Sequence, residues 1–266
     1  MGKLDGQVAL VTGAARGLGR AYALHLASLG ADVVVNDIDL HAAKAFGEEL
    51  TSETVMAEIE ARGRRALGIE ADATQRDAVE AMVRQVLDTF GRLDILVNNA
   101  GGALGTPRST LASDTDEAYL DYILDVNLKS TILCCQAASR PMKAARYGRI
   151  VNVGSQAGLW SGHTGDGMPY KVAKAGVIHY TRVLASELGP YGINVNCIAP
   201  AWILSSRAVA QGRNTPEIRD RLLAQIPLGR LGVPEDCAKV VEFLVTDLSD
   251  YVTGQTIAVC GGYVCW

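Results

Sequence analysis

Short apolar runs alternate with longer amphipathic segments along almost the whole chain. Seven runs have the length and the β-branched content of strands, and six longer segments carry apolar residues at helical spacing. The predicted strands are residues 7–12, 32–37, 66–71, 94–99, 149–154, 193–198 and 256–261. The predicted helices are residues 17–30, 40–62, 75–90, 115–143, 168–189 and 234–247. This alternation is typical of an α/β protein.

Near-continuous apolar strands separated by helices favour a parallel sheet with helices on both faces and right-handed crossovers. The pattern therefore predicts a doubly wound α/β fold. No Pro-, Ser- or charge-rich linker divides the 266 residues, so a single domain over residues 1–266 is expected. Ligands of such sheets bind beyond the carboxyl ends of the strands, which directs attention to the residues there.

Composition narrows the expected partners to small molecules. Lys and Arg total 25 against 29 acidic residues, and no long basic run offers a nucleic-acid-binding surface. No apolar segment approaches the ~18 to 20 residues of a membrane span, and the N-terminus lacks the layout of a signal peptide. We expect a cytoplasmic protein with a small soluble partner and with neither a membrane nor a nucleic-acid partner.

The six cysteines do not predict a metal site. They form no CxxC pair, and no His lies at metal-ligand spacing from them, so neither a zinc centre nor a dithiol redox motif is indicated. We interpret them as reduced and buried small residues.

A glycine-rich turn follows the first strand. Gly13, Gly17 and Gly19 stand between strand 7–12 and the next helix, in the spacing GxxxGxG. Glycines at a strand-to-helix turn let the backbone approach a ligand, and the unpaired N–H groups of the helix start favour an anion. A dinucleotide diphosphate fits both properties, although three glycines alone are also compatible with a tight turn.

The second strand ends at Asp37, 18 residues beyond Gly19, where an acidic residue can accept hydrogen bonds from an adenosine ribose. A carboxylate there repels a 2′-phosphate, so NAD is predicted rather than NADP. Arg16 is the competing signal, because a guanidinium in the phosphate loop can pair with that phosphate. The prediction gives Asp37 precedence and leaves two interpretations of Arg16 open, a cofactor contact or a solvated side chain.

Tyr170 and Lys174 are four positions apart in the segment MPYKVAKAGV, at the start of a predicted helix. Residues i and i+4 share a helix face, so both side chains can point into one cleft. A nearby ammonium group stabilises a phenolate and lowers the phenol pKa from its usual value near ~10. The pair is therefore a candidate acid/base, although an isolated Tyr-x-x-x-Lys is more often a core phenol beside a solvated amine.

Six short motifs in sequence order resemble those of the classical short-chain dehydrogenases/reductases. They are TGAARGLG after the first strand, Asp72 after the third, NNAG (98–101) after the fourth, Asn127 in the next helix, GSQAG (154–158) after the fifth strand, and YKVAK (170–174). Together they cover nearly the whole chain and lie at successive strand ends. The resemblance implies a seven-stranded Rossmann sheet and a homo-oligomer, either a dimer or a tetramer.

The resemblance also assigns roles to residues of the site. Tyr170 would exchange the proton, and Lys174 would also bond the nicotinamide ribose. Ser155 would donate to the substrate oxygen, and Asn127 would position a water that links Lys174 to solvent. Taken alone, Ser155 is compatible with a helix cap, Asn127 with bonds to backbone near a helix kink, and Asp72 with a cap of the next helix. The predicted cofactor contacts are Gly13, Arg16, Gly17, Leu18, Gly19, Asp37, Asp72, Ala73, Asn99, Ala100, Gly101, Tyr170, Lys174, Pro200, Ile203 and Ser205.

Three segments depart from the family pattern, and one of them, the stretch from Ser155 to Tyr170, is longer than usual and borders the reacting centre. The turn after the sixth strand reads PAWILS where the family has PGxxxT, so Ser205 would supply the hydroxyl for the nicotinamide carboxamide. Segment 40–62 is longer than usual and is expected to lengthen a surface helix.

The substrate wall is expected from residues 103–113, from 159–169 and from the residues after Pro200, with 201–226 as a closing lid. Aromatic and apolar side chains in these stretches predict a pocket for a neutral secondary alcohol or ketone, while two arginines leave an anionic substrate open. These pocket candidates are Trp160, His163, Met168, Trp202, Arg207 and Arg213.

The sequence therefore predicts an NAD-dependent oxidoreductase that interconverts a secondary alcohol and a ketone. One alternative is a 3-oxoacyl-thioester reductase of the β-ketoacyl type, which in this family usually prefers NADPH. The other is a catalytically silent nucleotide-binding regulator. For the oligomer, helices 115–143 and 168–189 resemble the family's dimerising helices, and the apolar tail ending in Trp266 is expected against a neighbouring subunit.

Overall fold

The computed structural model describes residues 2–105, 107–210, 212 and 214–264, and it contains one seven-stranded parallel sheet and one small hairpin. The strands are β1 (Val8–Thr12), β2 (Asp32–Asp37), β3 (Ala66–Glu70), β4 (Ile95–Asn98), β5 (Thr110–Leu111), β6 (Asp114–Thr115), β7 (Gly148–Val153), β8 (Ile193–Pro200) and β9 (Thr256–Val259). The α-helices are α1 (Gly17–Ser28), α2 (Ala42–Ala45), α3 (Val55–Glu60), α4 (Arg76–Phe90), α5 (Glu117–Leu124), α6 (Ser130–Ala145), α7 (Met168–Leu188), α8 (Ser206–Ala210), α9 (Pro216–Leu223) and α10 (Pro234–Val245).

The strands of the large sheet lie in the order β3-β2-β1-β4-β7-β8-β9. The chain winds outward from β1 through β2 to β3, and then returns to place β4 on the other side of β1. The switch point therefore lies between β1 and β4, where the connections leave the two strands in opposite directions. The doubly wound fold and all seven predicted strands are confirmed, and their ends differ from the prediction by no more than two residues.

Both faces of the sheet are buried, which explains the apolar strands. All five residues of β1 are buried, and alternate residues enter different cores. Val11 packs in one core with Leu26 of α1 and with α10. Leu10 packs in the other core with Met82 of α4 and Leu184 of α7. Each such side chain contributes about 1.5 to 3 kcal/mol on burial, so a polar residue inside these strands would be strongly destabilising.

The prediction of one lengthened helix over residues 40–62 is wrong. The segment forms the short helices α2 and α3, with residues 46–54 between them outside any helix. Gly47 adopts φ +64°, a left-handed conformation that interrupts a helix. Thr54 then begins α3, since its hydroxyl oxygen accepts the N–H of Ala57 at 3.1 Å. We call residues 46–54 the strap, because they lie across the turn between β1 and α1.

The predicted helix over residues 115–143 is interrupted by a π-helical turn, Asp125–Lys129, that joins α5 to α6. Ser130 and Thr131 donate their hydroxyls to the carbonyls of Val126 and Asn127, at 2.9 and 3.0 Å. Such back-bonding competes with the α-helical hydrogen bonds and accompanies a local widening of the helix. The hairpin of β5 and β6, just before α5, was not predicted, because two-residue strands leave no readable pattern.

Some sequence predictions fall outside the described residues. They concern Arg213 near the substrate and the tail residue Trp266. None of the described helices has both the length and the apolar character that crossing a bilayer requires.

Candidate active site

A cleft of about 850 Å³ opens at the carboxyl ends of the strands on either side of the switch point. Nearly all of the predicted site residues line it, and their strands explain why, because the carboxyl ends of parallel strands meet at one edge of the sheet. Gly19 and Asn127 do not reach the cleft surface and lie behind it. The predicted residues that line the cleft are Gly13, Arg16, Gly17, Leu18, Asp37, Asp72, Ala73, Asn99, Ala100, Gly101, Ser155, Tyr170, Lys174, Pro200, Ile203 and Ser205.

The glycine turn after β1 has the shape that close approach of a ligand requires. Gly13 adopts φ +63°, and a Cβ atom there would lie 2.9 Å from the Cα of Ala100. A Cβ atom on Gly19 would collide with the carbonyl of Gly13. The turn can therefore fold against the backbone after β4 only with glycine at these positions, and it leads directly into the amino terminus of α1. This glycine cradle, together with the volume of the cleft, fits a dinucleotide.

The NNAG segment after β4 braces the same turn. The side chain of Asn99 donates to the carbonyls of Thr12 and Gly13, at 3.0 and 2.9 Å. The hydroxyl oxygen of Thr12 accepts the N–H groups of Asn99 and Ala100, at 3.1 and 3.0 Å. Thr12 begins the TGAARGLG motif, but sequence reasoning assigned it no contact, because its partners lie far away along the chain.

Replacing Thr12 with valine tests this brace. We expect the free energy of unfolding to fall by about 2 kcal/mol, since valine keeps the shape but leaves two N–H groups without their acceptor. The matched control is Thr89→Val on the exposed side of α4, for which we expect a change within about 0.5 kcal/mol. Urea unfolding measures both values, and equal effects of the two substitutions would argue against the brace.

Asp37 lies at the end of β2, where its carboxylate accepts the N–H groups of Ala15 and Ile38, at 3.1 and 2.9 Å. Burial raises the pKa of Asp37, and these two donors and the nearby Arg16 oppose that rise. Arg16 lines the cleft and is not simply solvated, which was one of the two interpretations that the sequence left open. Its guanidinium carbon lies 3.6 Å from the ring centroid of Phe46, a residue that sequence reasoning did not connect with the cleft.

Two further predicted cofactor contacts make local hydrogen bonds at the cleft surface. The carboxylate of Asp72 accepts the N–H and the hydroxyl of Thr74, at 2.8 and 2.7 Å, within the turn that precedes α4. The hydroxyl oxygen of Ser205 accepts the N–H of Ala208 at 3.3 Å, in the first turn of α8. Because that oxygen acts as an acceptor, its proton remains available to a ligand in the cleft.

Ser155, Tyr170 and Lys174 line the same cleft from β7 and α7, whereas Asp37 ends β2 on the other side of the switch point. Ser155 follows β7 and is buried, and its hydroxyl oxygen accepts the N–H of Ala157 at 3.1 Å. Gly158 lets this turn pack directly on α7, because a Cβ atom there would lie 2.6 Å from the carbonyl carbon of Lys174. The packing of these two elements therefore places Ser155 beside the amino-terminal turns of α7.

Lys174 is deeply buried on α7. Its ammonium group donates to the carbonyl of Val153 at 2.7 Å and lies 5.8 Å from the ring centroid of Tyr170. Burial lowers the pKa of Lys174 to about 8, and the positive charge of Arg207 acts in the same direction. Tyr170 and Lys174 thus share one face of α7, as their spacing predicts, and the interpretation of Lys174 as a solvated amine is excluded.

Asn127 lies in the π-helical turn and is fully buried. Its side-chain oxygen accepts the N–H of Gly102 at 2.8 Å, and its nitrogen donates to the carbonyls of Gly102 and Ile123, both at 3.0 Å. The amide thus satisfies backbone groups near a helix irregularity, the alternative raised by the sequence. A role for Asn127 in positioning a water stays a prediction.

Aromatic side chains gather on the substrate side. The ring of Trp160 lies edge-on to His163 and to Tyr263, with centroids 5.2 and 5.8 Å apart, and Trp202 lies 5.9 Å from Tyr263. Sequence reasoning named three of these four residues and missed Tyr263. Trp202 lines the cleft, whereas Trp160, His163 and Tyr263, like the predicted Met168, are not among the residues that line it. Arg207 reaches from α8 and donates to the carbonyl of Gly101 at 2.9 Å.

The sheet topology, the glycine turn at the switch point and the cleft beyond the strand ends define a Rossmann-type dinucleotide-binding protein. A family model described as enoyl-(acyl carrier protein) reductase matches residues 13–264. With this match and the relatives described next, the chain belongs to the short-chain dehydrogenase/reductase family, whose members are oxidoreductases that bind nicotinamide dinucleotides.

Similar proteins of known name cover almost the full chain. The cyclohexanol dehydrogenase of Rhodococcus sp. (strain TK6) is 50% identical over 266 residues, with 97% of this chain and 96% of that protein covered. The 3-oxoacyl-(acyl-carrier-protein) reductase FabG of Staphylococcus aureus (strain Mu50) is 41% identical over 254 residues, with 96% of each covered. A structure of 7α-hydroxysteroid dehydrogenase complexed with NADH and 7-oxo glycochenodeoxycholic acid has a TM-score of 0.85 and 33% identity, covering 97% of this chain and 94% of that one.

Proposed function

We propose that the protein is an NAD-dependent oxidoreductase that interconverts a neutral secondary alcohol and its ketone. The observation that carries the proposal is the position of Ser155, Tyr170 and the buried Lys174 in the cleft that also holds the glycine turn. The similarity to a cyclohexanol dehydrogenase supports an alcohol and ketone pair as substrate and product. Trp202, which lines the cleft and packs edge-on to Tyr263, supports an apolar substrate wall.

The proposed residues divide the proton chemistry between them. When bound, the nicotinamide cofactor supplies or removes the hydride. Tyr170 gives a proton to the substrate oxygen in reduction and takes it back in oxidation, and Lys174 stabilises the phenolate through its charge. Ser155 donates to the same oxygen and stabilises developing negative charge on it. Gly13, Gly17, Asp37 and the NNAG segment would hold the cofactor.

Asp37 is proposed to select NAD, because its carboxylate stands at the end of β2 and disfavours a further negative charge beside it. We expect the wild type to have a higher kcat/KM with NADH than with NADPH. We expect Asp37→Asn to lower the ratio of kcat/KM with NADH to kcat/KM with NADPH by about tenfold, because it removes one negative charge close to the position of the 2′-phosphate. The control is Asp77→Asn, an exposed residue of α4 that makes the same change in net charge. A wild-type kcat/KM with NADPH equal to or above that with NADH would overturn the NAD preference.

A 3-oxoacyl-thioester reductase is the second candidate, and the similarity to FabG is the observation that favours it. Arg207 at the cleft could meet an anionic part of such a substrate. Absorbance at 340 nm with NADH and with NADPH across alcohols, ketones and β-ketoacyl thioesters separates the candidates. Turnover of simple ketones with NADH supports the main proposal, thioester turnover with NADPH supports the second, and silence with every substrate supports a nucleotide-binding regulator.

The proposal includes two features of the whole molecule. The described residues of segment 201–226, which include α8 and α9, close over the substrate and exclude water. The protein works as a homo-oligomer in the cytoplasm, as a dimer or a tetramer, through the exposed face of α7 that carries Val172 and Val183.

A further inference from the structure

The strap, residues 46–54, contacts the turn between β1 and α1 through two side chains. The ring of Phe46 lies under the guanidinium of Arg16, 3.6 Å from its carbon. One carboxylate oxygen of Glu48 accepts the N–H of Gly17 at 2.7 Å, and the other lies 3.7 Å from Arg20. The strap therefore brings a carboxylate to the amino terminus of α1, where Arg16 at the N-cap position makes no side-chain cap.

The strap is held in place by buried polar contacts. Glu58 of α3 is fully buried, and it accepts both the N–H and the hydroxyl of Thr51 in the strap, at 2.7 and 2.6 Å. Arg20 of α1 forms a two-pronged ion pair with the same carboxylate, at 2.7 and 2.6 Å. Burial alone would raise the pKa of Glu58, but the bonds from Arg20 and Thr51 outweigh it and lower the pKa to about 2. Leu50 packs against the core beneath.

The contacts of the strap bear on whether Arg16 can bind the 2′-phosphate of NADP. A guanidinium in the phosphate loop is the signal that favours NADP, as the sequence indicated. In the structure the guanidinium carbon lies over the ring of Phe46, and Asp37 and Glu48 lie close enough to oppose the lowering of its pKa that burial causes. Two carboxylates, one from β2 and one from the strap, thus attract this charge, although burial remains the larger influence on its pKa.

We infer that the strap is a second determinant of dinucleotide choice, in which Phe46 and Glu48 withhold Arg16 from the 2′-phosphate of NADP. The inference rests on the proposed NAD-linked function and adds to the role of Asp37. Glu48 contributes in two ways: it neutralises the arginine, and it adds negative charge beside the place where Asp37 already repels a phosphate. A strap that only capped α1 would affect both dinucleotides equally, because they share the same diphosphate.

The test measures dissociation constants for NADH and NADPH by isothermal titration calorimetry, which does not depend on turnover. Glu48→Gln keeps an oxygen for the N–H of Gly17 and removes the charge. We expect it to bind NADPH about tenfold more tightly and NADH within about twofold of the wild type. Phe46→Leu should improve NADPH binding about threefold by freeing the guanidinium. The matched control is Glu49→Gln, the exposed neighbouring residue with the same change in net charge.

The outcomes distinguish a failure of the strap inference from a failure of the proposed NAD preference. If the wild type prefers NADH and Glu48→Gln has the same preference, the strap inference is contradicted while the proposed NAD preference stands. An equal shift in Glu49→Gln, or a parallel loss of both dinucleotides in Glu48→Gln, also contradicts it, because these results indicate net charge or simple capping. Equal affinity of the wild type for both dinucleotides contradicts the proposed NAD preference itself. The gain in NADPH affinity should shrink as salt rises, since its origin is electrostatic.

Discussion

Replacing Tyr170 with phenylalanine is expected to lower kcat by about a thousandfold or more, because a positioned acid/base contributes about 10²–10⁴-fold and phenylalanine has no proton to exchange. The ring itself remains, so the apolar contacts around it persist. NADH binding should therefore stay within about threefold of the wild type, since the glycine turn and Asp37 are untouched. Absorbance at 340 nm measures turnover, and calorimetry measures binding.

The control for this substitution is Tyr251→Phe, which removes the same hydroxyl from a fully exposed side chain. It should leave both kcat and NADH binding unchanged. If Tyr170→Phe retained more than about a tenth of the wild-type turnover, the proposed proton role of Tyr170 would be untenable.

Lys174→Met is expected to combine a large loss of activity with a gain in stability. The loss should be about a hundredfold or more in kcat/KM, because methionine cannot stabilise a phenolate or donate a hydrogen bond. The gain follows from burial, which lowers the pKa of Lys174 from 10.5 to about 8 and thereby destabilises the folded state by about 3 kcal/mol near neutral pH. The lost bond to the carbonyl of Val153 offsets about 1 kcal/mol of that gain.

The pH dependence of stability checks the same argument. Between about pH 8 and 10.5 the unfolded chain holds the Lys174 proton while the folded protein has lost it, so this residue makes stability rise with pH in that window. Below pH 8 both states hold the proton and the destabilisation is constant. Thermal unfolding at pH 7 should therefore occur at a higher temperature in Lys174→Met, and the difference from the wild type should shrink toward pH 10. The exposed Lys239→Met control should show neither effect, and a less stable Lys174→Met protein would contradict the argument.

The motifs at the strand ends could be predicted from the sequence, because each depends only on residues that are close along the chain. Gly13, Gly17 and Asp37 follow directly from buried strands whose apolar runs mark their own ends. The i, i+4 spacing of Tyr170 and Lys174 needs only a helix to bring them to one face.

Other residues of the site were beyond any local pattern. Thr12 meets the backbone of Asn99 across 87 positions of sequence, and Tyr263 joins Trp160 across about a hundred. Phe46 and Glu48 lie in a segment whose apolar spacing predicted a helix, and the tertiary contacts of Glu58 and Leu50 favoured an irregular strap instead.

The amino-acid sequence by itself determined the seven buried strands, the glycine turn and the residues that would meet at the strand ends, because each depends on neighbours within a few positions. Only the tertiary structure decided which cations and carboxylates face one another. Lys174 is buried and Arg16 is held against the strap because elements distant in sequence pack around them. Burial and charge depend on everything within a few ångströms in space, and no local pattern along the chain contains that information.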